Sequence, residues 1–439
     1  MSLEALRKKL AETSTVKLLG KVDAVTGLAV RFSMPGVRVG DVVRILRRNV
    51  EPLLCEIVGF DGGSAVGMPL GRLEGVGADD DVESTGAPFR VIANDSLLGR
   101  VVNGLGVPID GKGPLAPSRI DSGDSAGLVD RDPPNPLSRK PISTRIATGV
   151  RVIDGLLTLG EGQRMGLFAG SGVGKSTLLG SIARSCDADV IVVGLVGERG
   201  REVGEFLEHA LGEKGLARSI VVAATSDAPA LERIRAAQVA TAYAEYFRDA
   251  GKRVLLMIDS VTRFARAQRE IGLAAGEPPA RRGYPPSVFA MLPRLLERAG
   301  QSDKGSITAI YTVLVEGGDM DEPIADEVRG ILDGHVVLDR TLAARGIYPA
   351  VDVTTSLSRV MPNIVTKPQQ DAARTLRSLV STYESKRDLI LLGAYAKGSD
   401  KEVDEAIAKQ PAIAEFLTQS PTSPTAYDET LNLLQRCIR

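Results

Sequence analysis

A glycine-rich segment between an apolar run and a helical pattern is the strongest chemical signal in this sequence of 439 residues. The segment reads AGSGVGKST; it follows the run RMGLF and opens the helical pattern KSTLLGSIAR. Glycines allow successive backbone N–H groups to turn toward one anion, and the N-terminus of the following helix favours negative charge. The segment therefore predicts a phosphate-binding loop. Its residues are Gly170, Ser171, Gly172, Val173, Gly174, Lys175, Ser176 and Thr177.

Two side chains at the end of this loop predict that the ligand is a nucleotide with Mg²⁺. Lys175 is expected to reach the β- and γ-phosphates, and the Ser176 hydroxyl is expected to bind the metal ion. The usual pattern begins with glycine, whereas this chain has Ala169 at that position. The alternative is a glycine-rich turn that binds nothing. The strand-to-helix context favours the phosphate loop over that alternative.

Two acidic residues end predicted strands of the same sheet. Asp259 ends RVLLMID, where a carboxylate can hold Mg²⁺ through water. Glu198 lies in GERGRE at the end of another strand, and such ends face the ligand crevice of an open α/β sheet. Glu198 is therefore the candidate to orient or deprotonate an attacking water. Arg199 and Arg201 are candidates to organise phosphates or a subunit contact, although the spacing equally allows an exposed turn with solvated charges.

The composition excludes several other classes of protein. The 54 basic and 55 acidic residues give a net charge of −1, without the basic excess that usually accompanies binding to nucleic acid. The three cysteines are far apart and predict neither a disulfide framework nor a metal site, which suits a reducing cytoplasm. With two histidines, a histidine-based metal site is not expected. No apolar run reaches the ~18 residues of a membrane span, and the N-terminus lacks the apolar core of a signal peptide.

The pattern along the chain predicts an α/β protein with three domains. Short β-prone runs separated by glycine and proline predict a small N-terminal β-barrel in the region 1–85. A Gly/Pro/Asp-rich connection over 86–141 leads into alternating strands and helices, which predict a parallel sheet covered on both faces within 86–358. Helical patterns alone remain in 359–439.

The first ~12 residues carry leucines at helical spacing, namely Leu3, Leu6 and Leu10. Such a short helix is not stable alone. It is therefore either a frayed terminus or a docking helix for a partner, and the sequence does not choose between them.

Several longer motifs resemble those of the hexameric ATPase family that includes the catalytic subunits of rotary ATP synthases. They are the phosphate loop, GERGRE, LLMIDSVTRFARAQRE, GYPPSVFAMLPRLLERAG and PAVDVTTSLS. Within that family the chain looks most like the type III secretion ATPases of flagella and injectisomes, because of EIGLAAGEPPARRGYPPSVF, KGSITAIYTVLVEG, PIADEVRGILDGH and GAYAKGSD. The resemblance covers nearly the whole chain and implies a RecA-like phosphate-loop core between the barrel and the helical domain.

The resemblance implies a role for each matching residue. Glu198 matches the catalytic glutamate, and Lys175, Ser176 and Asp259 match the phosphate and Mg²⁺ residues. Arg199 and Arg263 match two arginines near the γ-phosphate. Tyr348 matches the aromatic residue that packs on adenine, and Arg359 matches an arginine finger donated by the neighbouring protomer. From the sequence alone, Arg359 could instead be an ordinary surface arginine at the start of a helix.

The resemblance also implies the function and the partners. We expect a Mg²⁺-dependent ATP hydrolase that energises type III protein export by releasing and unfolding chaperone-bound cargo. The expected partners are five further copies in a homohexamer, a stator-like negative regulator at the N-terminus, a central stalk protein, export chaperones with their cargo, and the export gate, but no nucleic acid. Such an enzyme works in the cytoplasm, peripherally at the inner-membrane export apparatus.

Three other functions compete with this hypothesis. A rotary synthase catalytic subunit would carry an acidic DELSEED-type lever near the C-terminus, where this chain has only GSDKEVDEAIAK. A RecA-like nucleic-acid motor would carry basic and aromatic residues on a strand face. A nucleotide-binding subunit without turnover would not need Glu198. One departure from the secretion ATPases is a short N-terminal extension, which weakens the expected regulator contact.

Overall fold

The computed structural model describes residues 19–117 and 128–439. Three regions follow one another along the chain: an antiparallel barrel, a large α/β sheet and a group of helices. The helix predicted within the first ~12 residues lies outside the described residues. Within them, no helix is both long and apolar enough to cross a membrane.

The N-terminal region is a closed barrel of six antiparallel strands in the order β1-β2-β5-β4-β3-β6, which confirms the predicted barrel. Alternation places Phe32, Ile45 and Ile57 in its interior, where all three are fully buried. Gly62 and Gly63, with φ of 58° and 92°, form the tight turn of one hairpin. The strands are β1 Leu19–Thr26, β2 Ala29–Ser33, β3 Asp41–Leu46, β4 Leu53–Asp61, β5 Ser64–Pro69 and β6 Asp81–Pro88.

The central sheet has nine strands in the order β17-β16-β10-β15-β13-β11-β12-β7, with β14 paired to β15. Its strands are β7 Val101–Asn103, β10 Arg164–Ala169, β11 Val190–Glu198, β12 Ser219–Thr225, β13 Arg253–Asp259, β14 Gly300–Gln301, β15 Ser306–Leu314, β16 Gly334–Leu338 and β17 Leu357–Ser358; β8 Arg145–Ile146 and β9 Leu159–Gly160 pair separately. All pairings except those of β14 and β17 are parallel, as predicted. The predicted connection over 86–141 was wrong in one respect, because it contains the edge strand β7.

Helices cover both faces of the sheet, because its strands are apolar on both sides. The helices of this region are α1 Arg151–Leu156, α2 Lys175–Ser185, α3 Gly200–Glu205, α4 Gly212–Ala217, α5 Ala230–Asp249, α6 Val261–Ala274, α7 Pro286–Leu296, α8 Pro323–Ile331 and α9 Arg340–Ala344. A π-helical turn, Phe206–Leu211, joins α3 to α4.

The C-terminal region is helical, with α10 Met361–Ile364, α11 Lys367–Leu391, α12 Lys401–Leu417 and α13 Tyr427–Ile438. It packs on the end of the central region that carries α1. The Arg151 guanidinium donates to the carbonyl oxygens of Glu415 at 3.0 Å and Phe416 at 3.1 Å, at the C-terminal end of α12. This contact satisfies helix-end carbonyls that have no partner within the helix. It fixes the helical region beside the phosphate loop.

Candidate active site

The predicted phosphate loop connects β10 to α2 at the carboxyl edge of the sheet. Gly172 and Gly174 have φ of 80° and 88°, a left-handed backbone that glycine adopts without strain. Val173 between them is 2% exposed and anchors the loop in the core. Ser171, Ser176 and Thr177 are exposed and available to a ligand, together with the N–H groups at the start of α2.

The first two residues of the segment, Ala169 and Gly170, lie where the surrounding structure favours small side chains. Ala169, which replaces the usual glycine, is the last residue of β10 and is fully buried, so its methyl group packs in the core outside the loop. At Gly170 an added Cβ would lie 2.7 Å from Nε of Arg340, so a larger residue there would require the exposed Arg340 side chain to move. The departure from the usual pattern therefore leaves the loop itself unchanged.

Lys175 lies between the two predicted carboxylates. Its ammonium group contacts Asp259 directly and lies 3.6 Å from Oε1 of Glu198. The Thr312 hydroxyl donates to the same Asp259 oxygen at 2.7 Å. Glu198 and Asp259 meet because they end the neighbouring strands β11 and β13, and both are buried. The structure thus brings together the lysine and two acids that the sequence separates.

A β-bulge directs Glu198 into the site. The register of β11 against β12 shifts between Val196 and Glu198, and Gly197 within the shift has φ of 68°. Arg263, on the first turn of α6, holds the bulge, because Nη1 donates to the Gly197 carbonyl and Nη2 lies 3.2 Å from Oε2 of Glu198. Among the described residues, the other carboxylate oxygen, Oε1, has no hydrogen-bond partner.

The environment of Glu198 raises its pKa to about 7. Burial is the largest cause, followed by the negative charge of Asp259 and a hydrogen bond with Glu202, whereas Lys175 and Arg263 act in the opposite direction. The pKa of Glu202 is lowered by the same hydrogen bond. Glu198 thus titrates near neutral pH, where a general base is most effective.

The residues present fit a Mg²⁺ ion bound with a nucleotide. The described residues contain no group of three or more His, Cys, Asp or Glu side chains suited to a metal. Mg²⁺ in nucleotide sites does not need such a group, since one or two protein oxygens and the phosphates hold it. The exposed Ser176 hydroxyl and the Asp259 carboxylate supply such oxygens. Oε1 of Glu198, which makes no hydrogen bond within the described residues, lies 3.6 Å from the Lys175 ammonium group that contacts Asp259.

The two arginines that follow Glu198 lie outside the cluster. Arg199 and Arg201 are largely exposed, and each pairs with a glutamate of its own segment, Glu202 at 3.4 Å and Glu205 at 3.2 Å. Of the two arginines predicted near the γ-phosphate, Arg263 is in the cluster and Arg199 is beside it on the surface.

A cavity of about 390 Å³ adjoins the phosphate loop and is mainly apolar. Tyr348 lines it together with Gly172 and Gly174, and the ring lies 3.4 Å from where a Cβ on Gly174 would stand. The opposite wall is the C-terminal segment 419–424, and the backbone N–H of Gln419 donates to the Tyr348 carbonyl at 2.8 Å. The sequence does not predict this wall, since Pro421 and Pro424 indicate only a loop.

Arg359 lies far from the phosphate loop of its own chain. It follows Ser358, which pairs with Gly334 at the start of β16, whereas the loop follows Ala169, which pairs with Leu338 at the end of β16. At roughly 3.3 Å per residue these two ends are about 13 Å apart. Arg359 is also exposed. The chain thus presents this arginine at the edge of the sheet opposite its own loop.

Comparison with known proteins identifies two matching domain families. The nucleotide-binding domain of the ATP synthase alpha/beta family matches residues 149–358, and the T3SS EscN ATPase C-terminal domain matches residues 365–436.

Curated relatives from both export systems match almost end to end. The "Flagellum-specific ATP synthase" of Bacillus subtilis is 52% identical over 99% of this chain and 98% of its own length. The "Type 3 secretion system ATPase" of Xanthomonas euvesicatoria is also 52% identical, over 98% of this chain and 96% of its own length.

Solved structures agree in fold as well. The assembled ATPase EscN of the enteropathogenic E. coli type III secretion system superposes with a TM-score of 0.90 at 45% identity, over 96% of this chain and 100% of EscN. EscN in complex with its central stalk EscO gives a TM-score of 0.87. The predicted fold is confirmed. The chain therefore belongs to the ATP synthase alpha/beta family and, within it, to the ATPases of flagellar and type III secretion systems.

Proposed function

We propose that this ATPase hydrolyses ATP with Mg²⁺ to energise type III protein export, as a ring of six copies. The observation that carries the proposal is the buried Glu198 carboxylate, one oxygen of which makes no hydrogen bond within the described residues and lies 3.6 Å from the ammonium group of the phosphate-loop lysine. A subunit that only binds nucleotide needs no buried base at this point. The equal identity to a flagellar and a secretion relative supports the function that both share, protein export.

The chemistry follows from the charges that surround the loop. The loop N–H groups and the Lys175 ammonium bind the phosphates, and Tyr348 packs on the base in the adjoining cavity. Glu198 accepts a proton from the attacking water, while Arg263 holds its carboxylate in place. Ser176 and Asp259 would hold a Mg²⁺ ion, which would supply positive charge beside the phosphates. Arg199 contributes at the rim of the site, where it is exposed.

The cationic charge at the γ-phosphate is completed by a neighbouring protomer. Arg359 lies beyond reach of its own loop and is exposed, which supports its role as a finger donated in trans. An arginine supplied by another chain makes turnover depend on assembly, and a closed ring gives each site one such neighbour.

The export role brings the other partners. EscN has been solved in complex with its central stalk EscO, and we infer that a stalk of that kind contacts this chain as well. We also propose contacts with a stator-like regulator through the N-terminus, with the export gate, and with chaperones whose cargo the enzyme releases and unfolds. These contacts would hold the enzyme at the cytoplasmic face of the inner membrane.

A release assay tests both the chemistry and the export role. A fluorescent cargo bound to its cognate export chaperone is mixed with the enzyme, and cargo release is followed together with phosphate release. The unmodified enzyme should release cargo only with both ATP and Mg²⁺, and Glu198→Gln should abolish both signals. Glu205→Gln is the matched control, because Glu205 is half-exposed and, within the part of the chain that the structure describes, forms its one ion pair with Arg201. Cargo release by Glu198→Gln at the unmodified rate would contradict the proposal.

A further inference from the structure

The segment that carries Arg359 crosses the surface between β16 and the helical region, and its two ends are anchored by several bonds. At its start, the Asp352 carboxylate accepts from the backbone N–H of Thr354 at 2.9 Å and from the hydroxyl of Thr355 at 2.7 Å. At its end, the Ser358 hydroxyl donates to the Thr158 carbonyl at 3.0 Å, and the Arg359 N–H donates to the Asp333 carbonyl at 3.0 Å.

His335 holds the middle of this segment from the adjacent strand. Its Nε2 lies 2.9 Å from the carbonyl oxygen of Thr355. A carbonyl oxygen only accepts, so Nε2 carries the proton and donates. Burial of the ring is the main cause that lowers the pKa of His335, and the nearby Arg329 and Arg359 charges act in the same direction, so the neutral ring is favoured.

The same ring contacts the strand that leads into the phosphate loop. The His335 ring meets the Phe168 ring edge to face, with centroids 6.1 Å apart and planes at 81°. Phe168 precedes Gly170 by two residues in β10, which pairs with β16. His335 thus contacts two elements: β10, which leads into the phosphate loop of its own chain, and the segment that carries Arg359, the residue proposed to act in the neighbouring protomer's site.

We propose that His335 is a positioning residue for Arg359: its Nε2–H bond to the Thr355 carbonyl sets the segment so that Arg359 points into the neighbouring protomer's site. The proposal deepens the proposed function, because it requires Arg359 to act in trans. His335 contacts no substrate in this scheme and acts only through the arginine.

Two substitutions separate the hydrogen bond from the packing of the ring. His335→Leu keeps an apolar side chain against Phe168 but removes the donor, whereas His335→Gln retains an N–H donor. We expect His335→Leu to lower kcat roughly 3- to 10-fold, the effect of one hydrogen bond, with KM for ATP changed less than about 2-fold. His335→Gln should recover most of the loss. Equal kcat values for the unmodified enzyme and His335→Leu would overturn the proposal.

A double-mutant cycle with Arg359→Ala separates the positioning role of His335 from the role of Arg359 as an arginine finger. If His335 acts through Arg359, His335→Leu lowers kcat in the unmodified background and has no further effect in the Arg359→Ala background. The same fold-loss in both backgrounds would overturn the role of His335 and leave the arginine finger intact. Unchanged kcat in Arg359→Ala alone would refute the finger, and with it both proposals. Thermal unfolding of each variant verifies that the compared proteins are folded.

Discussion

At the scale of single residues, Glu198 is under opposing influences. Burial and Asp259 favour its neutral form, whereas Lys175 and Arg263 favour the carboxylate. The result is a pKa of about 7 for Glu198, so this carboxyl group changes charge near neutral pH. The sequence could predict Glu198, Lys175 and Asp259 as candidates, because residue type and strand-end position carry that information. It could not predict the pKa of Glu198, which depends on distances between strands that are far apart in the chain.

The raised pKa of Glu198 predicts a pH dependence in the free enzyme. A base works as its carboxylate, so kcat/KM should rise with pH through about 7 and level off above it. Initial rates of phosphate release between pH 5.5 and 9, with Mg²⁺ in excess, would measure this. Glu198→Gln should lower kcat by roughly 10²–10⁴-fold and remove the rise of kcat/KM with pH. If kcat/KM of the unmodified enzyme did not rise between pH 6 and 8, the assignment of Glu198 as the base would be refuted.

The exposed face of Tyr348 predicts an effect on nucleotide affinity. Its side chain is 40% exposed in the cavity beside Gly174, which suits a ring that packs on a base. Tyr348→Ala should raise KM for ATP roughly 10-fold, the value of one aromatic–base contact, with little change in kcat. Tyr348→Phe is the control and should behave like the unmodified enzyme. A KM that does not change in Tyr348→Ala would place the base elsewhere.

At the scale of elements, the bulge in β11 decides where the Glu198 carboxylate points. Without the shift at Gly197, strand alternation would send the next side chain to the other face of the sheet. Strand periodicity predicted β11 and its end, but a bulge adds one residue without changing the apolar pattern, so the sequence could not reveal it. The same limit applies to β7, whose short run of Val101–Asn103 lies among turn residues.

Gly197 offers a direct test of the bulge. Its φ is 68°, and an added Cβ would lie 3.1 Å from Cδ of Arg263, so Gly197→Ala strains the backbone and displaces the arginine that holds Glu198. We expect kcat to fall by more than about 10-fold and stability to fall by roughly 1–3 kcal/mol. Gly200→Ala is the matched control, since an added Cβ there meets nothing within 4 Å. Equal activity of the two variants would contradict this role for the bulge.

At the scale of the whole molecule, the candidate site is assembled from regions far apart in sequence. The loop, both acids and Tyr348 belong to the central region, whereas segment 419–424 of the helical region lines the cavity beside the loop. The barrel, the α/β sheet and the helical region were predictable from the sequence, because each has its own pattern of apolar and turn residues. These patterns did not predict the wall at Gln419, because docking between regions depends on surface shape. The trans role of Arg359 came only from the family resemblance, and its exposed place at the far edge of the sheet agrees with it.

Dependence on a neighbour predicts an activity that changes with concentration. In the proposed mechanism each site needs the Arg359 of another chain, so phosphate release per protomer should rise with protein concentration and reach a plateau once rings have formed. A dilution series, with the assembly state followed by light scattering, measures this. The specific activity of Arg359→Ala should be low and flat across the series. A flat specific activity for the unmodified protein while it dissociates would show that the single chain is sufficient.

The most direct test of the shared site mixes two inactive variants. Glu198→Gln lacks the base but carries the arginine, and Arg359→Ala lacks the arginine but retains the base. In a random ring of equal parts, about one interface in four joins an intact base to an intact arginine. We predict that each variant alone is nearly inactive and that the mixture recovers phosphate release in proportion to such interfaces. A mixture that assembles into mixed rings and remains as inactive as its components would contradict a site completed by the neighbouring protomer.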